Sequence, residues 1–304
     1  MTTLDGRVAI VTGGGRGLGR AHCLALAAAG AAVVVNDLGA GLHGEQTAES
    51  PADEVVTEIL EAGGRAVANH CSVSDWTAAE ALVAQAVDEF GRLDIVVNNA
   101  GIVRDRMLFS MTEADFDSVI AVHLKGTFAV TRHACAYWRA AAKRGEPVAG
   151  RIVNTTSGTG LFGNAGQANY GAAKAGIANL TVVTALEMRK YGVTANAISP
   201  LAATRMTADL PMASTAAVGG FDPRDPANAS GVVVYLASAA AGWLTGQIIR
   251  VDGATVNRLR GWTVVDSSRG EPDAAVTAAE LAEALPQLYG VAPTGRVSTY
   301  FREA

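Results

Sequence analysis

Residues 8–19, with the sequence VAIVTGGGRGLG, decide the fold class of this chain of 304 residues. The run from Val8 to Thr12 is apolar or β-branched, and five glycines follow between Gly13 and Gly19. A short apolar run bounded by glycines is typical of a strand buried on both faces of a parallel sheet. The alanine-rich segment after Gly19 is typical of a helix. The stretch therefore predicts a buried strand, a glycine-rich turn and a helix.

The glycine-rich turn is suited to holding a dinucleotide. Glycines between a strand and a helix let backbone N–H groups close on a pyrophosphate at the positive end of the helix. The spacing here is Thr12-Gly13-x-x-x-Gly17-x-Gly19 rather than the strict G-x-G-x-x-G, yet it can serve the same purpose. The alternative is a glycine-rich turn that binds no ligand. The predicted cofactor contacts in this turn are Gly13, Arg16, Gly17, Leu18 and Gly19.

The next apolar run, residues 32–36, is followed by Asp37, which lies 18 residues beyond Gly19. A carboxylate at this place can accept hydrogen bonds from the ribose diol of adenosine and would repel a 2′-phosphate. Arg16 gives the opposite signal, since a guanidinium near the ribose could pair with that phosphate. Because Asp37 is better placed, the sequence predicts NAD rather than NADP.

A second group of residues suggests chemistry on an alcohol. Tyr170 and Lys174 are four residues apart, so a helix would place both on one face, about a turn apart. The lysine charge favours the phenolate, and a phenol with a lowered pKa can take a proton from an alcohol near neutral pH. Ser157 lies thirteen residues upstream of Tyr170. Tyr-x-x-x-Lys alone is a weak signal, but together with the glycine-rich turn it is a strong one.

Composition excludes several other classes of function. The net charge of −5 and the pI of about 5.6 leave no electrostatic footprint for a nucleic acid. Three widely spaced cysteines and five histidines form no metal-ligand pattern, and the cysteines suggest a reducing cytosol. The N-terminus has no signal-peptide pattern. The long uncharged run at 226–249 is interrupted by polar residues, so no membrane span is predicted. These features predict a cytoplasmic protein without a metal.

Strand and helix signals alternate along the chain, which is the pattern of a parallel sheet with crossover helices. No internal repeat and no second domain are visible. Residues 39–51 form a polar insertion, and residues 256–304 form a C-terminal extension. Further strands are predicted at 65–69, 93–98, 151–155, 194–198 and 247–251, and helices at 79–90, 113–139 and 172–190.

With these elements established, the chain resembles the short-chain dehydrogenase/reductase family over roughly residues 5–255. The resemblance implies a single Rossmann-type α/β domain at residues 1–255, with a doubly wound parallel sheet of about seven strands. Five motifs carry it in the family's order. They are the glycine-rich turn, Asn98-Asn99-Ala100-Gly101, Ser157, Tyr170-x-x-x-Lys174 and Asn196-Ala197-Ile198-Ser199-Pro200.

The resemblance also implies a role for each of these residues. Ser157 would bond the substrate oxygen, Tyr170 would act as the base, and Lys174 would hold the cofactor ribose and stabilise the phenolate. This chain has Ser72 where many members have an aspartate, and Leu201 where the family usually has glycine. The further cofactor contacts that the resemblance implies are Ser72, Val73, Asn99, Ala100, Gly101, Tyr170, Lys174, Pro200 and Thr204.

His123 stands where most of the family has an asparagine that helps to hold a water linking the lysine to solvent. A histidine could serve the same proton relay, through its ring or its backbone carbonyl. The alternative is a packed helix histidine with no part in the chemistry. We therefore treat His123 as a candidate catalytic residue.

Within the family, the chain looks most like the 3-hydroxyacyl-CoA dehydrogenase unit of the peroxisomal multifunctional β-oxidation enzyme and its bacterial relatives. This rests on the insertion after Asp37 and on Val122-His123-Leu124 and Gly166-Gln167-Ala168-Asn169-Tyr170. The resemblance implies a small-molecule substrate, acyl-CoA or steroid, oxidised with NAD, and a homodimer or homotetramer. The alternatives are an NADPH-dependent ketoreductase and a non-catalytic dinucleotide sensor, although the chain keeps the serine, tyrosine and lysine.

The extension at 256–304 is expected to pack on the core or on a partner subunit. Leu281, Ala284, Leu285 and Leu288 recur at helical spacing, and Thr277 is suited to be the N-cap of that helix. Pro286 predicts a kink or an early stop, because proline disrupts helix interiors.

Overall fold

The computed structural model describes residues 3–41, 43, 45, 50–202, 221–259, 261 and 277–289. The chain divides into two compact units, residues 1–259 and 260–304. The first unit is built on one eight-stranded sheet with the order β3-β2-β1-β4-β5-β6-β7-β8. Its strands are β1 (Val8–Thr12), β2 (Ala32–Asn36), β3 (Arg65–Asn69), β4 (Ile95–Asn98), β5 (Arg151–Thr155), β6 (Thr194–Leu201), β7 (Ile248–Asp252) and β8 (Thr255–Arg258).

Helices cover both faces of this sheet. Those of the first unit are α1 (Gly17–Ala28), α2 (Pro51–Glu61), α3 (Trp76–Phe90), α4 (Glu113–Ile120), α5 (Gly126–Lys143), α6 (Gly158–Phe162), α7 (Ala168–Met188) and α8 (Ser230–Ala237). The helices α1, α2 and α8 pack on one face, and α3, α5 and α7 pack on the other. Short 3₁₀ turns span Leu108–Ser110, Arg189–Tyr191, Pro226–Ala229 and Ala239–Ala241.

The alternation of side chains along β1 shows why the central strands are apolar throughout. Ala9 and Val11 point to the side of α1, and Val8 and Ile10 point to the side of α3. All four residues are buried, because both faces of the sheet are covered. The strand order reverses between β1 and β4, so the carboxyl ends of these two strands open a crevice where such sheets bind ligands.

The predicted doubly wound parallel sheet is confirmed, and β3 and β5 have the predicted bounds. The strand β8 adds an antiparallel edge to the seven parallel strands. Its four residues are all exposed, so it lacks the apolar run by which the buried strands could be predicted.

The predicted helix at 113–139 is confirmed, since the chain is helical from Glu113 to Lys143, but it contains a feature that the sequence pattern did not indicate. A π turn at Ala121–Lys125 separates α4 from α5. A π turn carries one extra residue, which changes the direction of the side chains that follow it. His123 lies in this turn and is buried, with its ring bonded to the backbone of Ile102. The tertiary bond to Ile102 is invisible in the local sequence pattern.

The second unit contains α9 (Ala278–Tyr289). The predicted N-cap is confirmed, since the Thr277 hydroxyl accepts from the N–H of Glu280 at 3.2 Å. The Glu280 carboxylate accepts in return from the Thr277 N–H and hydroxyl. Of the two outcomes predicted at Pro286, the early stop is wrong because the helix continues to Tyr289, and the kink stays a prediction. Leu281 and Leu285 are 41% and 43% exposed, so their packing on the core or on a partner subunit stays a prediction.

Across the described ranges, no helix is both long enough and apolar enough to cross a bilayer. Within the same ranges, no group of three histidine, cysteine or acidic side chains is placed to bind a metal ion.

Candidate active site

The glycine-rich turn between β1 and α1 forms a cradle that leaves no room for side chains. A Cβ atom on Gly19 would lie 1.9 Å from the carbonyl oxygen of Gly13, so only glycine permits this closure. In helix α1, the N-cap residue Arg16 supplies no side-chain cap and the first turn holds no acidic residue. The positive end of this helix therefore remains available to an anion.

The residues that follow β4 fix the other wall of the cradle. The Asn99 side-chain amide donates to the carbonyl oxygens of Thr12 and Gly13, both at 3.1 Å. The Thr12 hydroxyl accepts from the N–H groups of Asn99 and Ala100 at 3.0 and 3.1 Å. The ends of β1 and β4 are thereby joined across the crevice, and Asn99 and Ala100 hold the glycine-rich turn in place.

Asp37 lies directly after β2 and supports the same turn. Its carboxylate accepts from the N–H of Gly15 at 3.0 Å and from the N–H of Gly39 at 2.9 Å. Each carboxylate oxygen has a further lone pair, so Asp37 can still accept from a ribose diol. The Arg16 guanidinium donates to the carbonyl oxygen of Ala40 at 3.2 Å.

These elements surround a cavity of about 510 Å³. Most of the predicted cofactor residues line it: Gly13, Arg16, Gly17, Leu18, Asp37, Ser72, Val73, Asn99, Ala100 and Gly101. Gly19, Tyr170, Lys174 and Pro200 do not line it, and Thr204 falls outside the described residues. Pro200 lies in β6 opposite Val251 of β7. The volume, the glycine cradle and the uncapped helix end fit a bound dinucleotide.

Tyr170 and Lys174 lie in the first turns of α7, as their spacing predicts. The Lys174 ammonium is 5.6 Å from the centre of the Tyr170 ring. Lys174 is only 3% exposed, and its Nζ donates to the carbonyl oxygen of Thr155 at 2.6 Å. Burial lowers the pKa of Lys174 from 10.5 to about 7.

Ser157 is brought to the same region by β5 and α6. It follows the end of β5 by two residues and is the N-cap of α6, where its hydroxyl accepts from the Thr159 N–H at 3.3 Å. The helix α6 packs closely on α7, because a Cβ atom on Gly160 would lie 2.6 Å from Lys174. The hydroxyl of Thr156 donates to the Lys174 carbonyl oxygen at 2.7 Å. The structure therefore holds Ser157 beside the α7 segment that carries Tyr170 and Lys174.

The His123 ring packs edge-on against Tyr170, with ring centres 5.2 Å apart at an interplanar angle of 90°. Its Nε2 lies 2.7 Å from the Ile102 carbonyl oxygen, while the buried Nδ1 has no partner among the described residues. Burial, assisted by the charge of Lys174, lowers the pKa of His123 to about 3. The ring is therefore neutral near pH 7, which limits any relay to its neutral form.

Sequence reasoning missed several residues of the site. Arg104 and His43 line the cavity, and the Arg104 guanidinium donates to the His43 carbonyl oxygen at 2.8 Å. The ring Nδ1 of His43 lies 2.9 Å from the Val103 carbonyl oxygen. The available signal was the polar insertion at residues 39–51, because it follows Asp37, the predicted ribose contact.

The doubly wound sheet and its glycine cradle define a dinucleotide-binding α/β protein. The chain belongs to the short-chain dehydrogenase family, whose model matches residues 7–214. It is accordingly an oxidoreductase that acts on CH–OH groups, and the family binds a nicotinamide dinucleotide, NAD or NADP.

Individual relatives agree with this assignment. A hydroxyacyl-CoA dehydrogenase, ChsB1, of Mycobacterium tuberculosis is 50% identical over 258 residues, which cover 84% of this chain and 80% of that protein. The peroxisomal multifunctional enzyme type 2 of Mus musculus is 51% identical over 203 residues, 67% of this chain but only 26% of that enzyme. The crystal structure of a short chain dehydrogenase from Mycobacterium avium matches with a TM-score of 0.86 and 50% identity, covering 99% of this chain and 100% of that one. The resemblance inferred from the motifs is thus confirmed.

Substitution of His123 can distinguish a role in a proton relay from a role in packing alone. His123→Ala should lower the free energy of unfolding by about 2–5 kcal/mol, because it empties a fully buried site. A fall in kcat of more than about tenfold in the folded variant would support the relay. An unchanged kcat would leave packing as the role of His123. The control is His70→Ala, at a side chain that is 51% exposed, which should change neither quantity.

Proposed function

We propose that this chain oxidises a secondary alcohol to a ketone with NAD, and that its substrate is a 3-hydroxyacyl-CoA thioester. The observation that carries the chemistry is the buried Lys174 ammonium beside the ring of Tyr170, 5.6 Å from its centre. Ser157 at the start of α6 supplies the third group. Together these residues can bind an alcohol oxygen and remove its proton.

Ser157 binds and orients the substrate oxygen. Its hydroxyl oxygen accepts a long bond of 3.3 Å from the Thr159 N–H, and this leaves the O–H proton available for the substrate oxygen. Because the N-cap geometry of α6 fixes the Ser157 backbone, the hydroxyl meets the substrate in a set orientation.

Tyr170 takes the alcohol proton as its phenolate. The positive charge of Lys174 favours that phenolate, and burial leaves this charge poorly screened by water. A bound nicotinamide dinucleotide supplies the hydride acceptor for this chemistry. Loss of the proton to Tyr170 and of hydride from the same carbinol converts the alcohol to a ketone, so atoms and charge balance.

Asp37 supports the choice of NAD. Its carboxylate is held by two backbone N–H groups at the edge of the cavity and would repel a 2′-phosphate. The competing cation, Arg16, is occupied in part by its bond to the Ala40 carbonyl oxygen. The same geometry leaves the Asp37 oxygens able to accept from a ribose diol.

The substrate class is supported by the relatives. The protein named hydroxyacyl-CoA dehydrogenase is half identical to this chain across most of both sequences. The mouse multifunctional enzyme is matched over only about a quarter of its length, so only that quarter bears on the substrate of this chain. We further propose a homodimer or homotetramer in the cytoplasm, which sedimentation and cell fractionation would test.

The activity is tested with purified protein and a panel of 3-hydroxyacyl-CoA thioesters of graded chain length, 3-hydroxysteroids and the matching ketones. We expect NAD-dependent oxidation of a thioester. Tyr170→Phe should abolish it and leave NAD binding nearly intact, because only the base is lost. Tyr191→Phe, at an exposed hydroxyl outside the site, is the control and should retain full activity. Turnover confined to steroids, or to ketone reduction with NADPH, would contradict the proposed substrate or direction.

The cofactor preference is a separate prediction. Wild-type protein should prefer NAD over NADP by at least about tenfold, or roughly 1.4 kcal/mol. Asp37→Ala should narrow that preference, because it removes both the ribose acceptor and the repulsion of a 2′-phosphate. Measurements of kcat/KM with both cofactors check it. Equal or better use of NADP by the wild type would show that Arg16 decides the preference instead.

A further inference from the structure

The helix that carries Tyr170 begins without an ordinary cap. The first N–H groups of a helix have no partner inside the helix and are usually satisfied by the N-cap side chain. The N-cap residue of α7, Gln167, makes no such bond. The side-chain oxygen of Asn169 instead accepts from the N–H of Tyr170 at 2.7 Å. The residue that precedes the proposed base therefore takes over the capping.

The same side chain ties this helix end to two other parts of the fold. The Asn169 amide nitrogen donates to the carbonyl oxygen of Arg104 at 2.9 Å and to that of Asp115 at 3.0 Å. Arg104 lies in the segment after β4 that lines the cavity, and Asp115 lies in α4. Asn169 is completely buried, and both of its donor hydrogens and its oxygen are used. A buried amide with every group satisfied holds its surroundings in one arrangement.

The side chain of Gln167 connects the start of α7 with the segment that follows Ser157. Its side-chain oxygen accepts from the Thr159 hydroxyl at 2.9 Å and from the Asn164 amide at 3.0 Å. Its side-chain nitrogen donates to the Asp105 carboxylate at 2.7 Å. Thr159 lies in α6, the helix that Ser157 caps. The Gln167 side chain therefore links the start of α6, at Ser157, to the start of α7, which carries Tyr170.

Tyr170 is the residue that most needs such a support. It lies in the first turn of α7, where helices fray, whereas Lys174 lies a turn further on and is anchored by its bond to Thr155. Fraying would move the Tyr170 ring relative to a fixed lysine charge. A displacement of about 1 Å can cost roughly a hundredfold in rate.

We propose that Asn169, braced by Gln167, is a positioning residue that holds Tyr170 in register with Lys174 and Ser157. The proposal rests on the proposed function only in taking Tyr170 as the base. It assigns Asn169 no contact with substrate or cofactor, because the side chain is fully occupied within the protein.

The test combines kinetics with a direct titration of Tyr170. Asn169→Ala should lower kcat by roughly 10- to 100-fold, with the dissociation constant for NAD within about twofold of wild type. The pH at which Tyr170 ionises should rise, because the ring moves away from the charge that Lys174 carries while it is protonated. The chain has six tyrosines, so the tyrosinate absorbance of each protein is measured against its own Tyr170→Phe partner. Asn257→Ala, on the exposed strand β8, is the matched control and should alter none of these quantities.

A purely structural role for Asn169 makes a different prediction. It would lower the melting temperature and leave both kcat and the ionisation pH of the folded protein unchanged, which would overturn the proposal. The titration requires no turnover, so it remains decisive even if hydroxyacyl-CoA is the wrong substrate. In that case the kinetic part uses whichever alcohol the wild type oxidises.

A second variant covers the case in which Asn169→Ala fails to fold. Asp105→Ala removes an exposed carboxylate and releases only the Gln167 nitrogen, so the core should survive. We expect kcat to fall by about threefold to tenfold with an unchanged melting temperature. An unchanged kcat in this variant would contradict the brace and with it the proposal.

Discussion

The site depends on the burial of one positive charge. The Lys174 ammonium is almost completely removed from solvent and donates a hydrogen bond to the Thr155 carbonyl oxygen at 2.6 Å. Removing an ammonium from water disfavours its charged form, and burial therefore lowers the pKa of Lys174 from 10.5 to about 7. While Lys174 is protonated, its charge acts on the neighbouring phenol with little screening by water. An exposed lysine at the same spacing would have a weaker effect.

The surrounding structure can be understood as the means of burying this lysine beside Tyr170. Gly160 lets α6 approach α7 at Lys174, and Thr156 bonds the lysine's own carbonyl oxygen. The π turn before α5 turns His123 inward against the Tyr170 ring. His123 stays neutral there, because burial and the nearby lysine charge both oppose its protonation. A second positive charge beside Lys174 is thereby avoided.

Much of this arrangement could be predicted from the sequence, because the signals were local. The glycine-rich turn, the strand bounds at 65–69 and 151–155, and the Tyr170–Lys174 spacing follow from period, composition and helix geometry. Asp37 was predicted as a ribose contact, but its bonds to Gly15 and Gly39 show that it also supports the turn. Its place after β2 was readable, whereas its partners depend on how the turn folds back.

The parts that could not be predicted depend on contacts between distant residues. Asn169 bonds carbonyl groups 65 and 54 positions earlier in the chain, and no local pattern marks such a pair. The π turn contains His123, whose ring contacts the carbonyl oxygen of Ile102, 21 residues earlier in the chain. The strand β8 has no buried face and so no periodic signal. In each case a tertiary contact overrides or completes what local propensity specifies.

The most direct test of this account is the titration of Lys174 itself. Lysine side chains labelled with carbon-13 can be followed by NMR across the pH range, and Lys174→Met identifies the resonance. The account predicts that, without bound dinucleotide, Lys174 titrates near pH 7, well below the ordinary lysine value of 10.5. A Lys174 resonance that titrates near 10.5 would contradict the claim that burial of this charge sets the chemistry of the site.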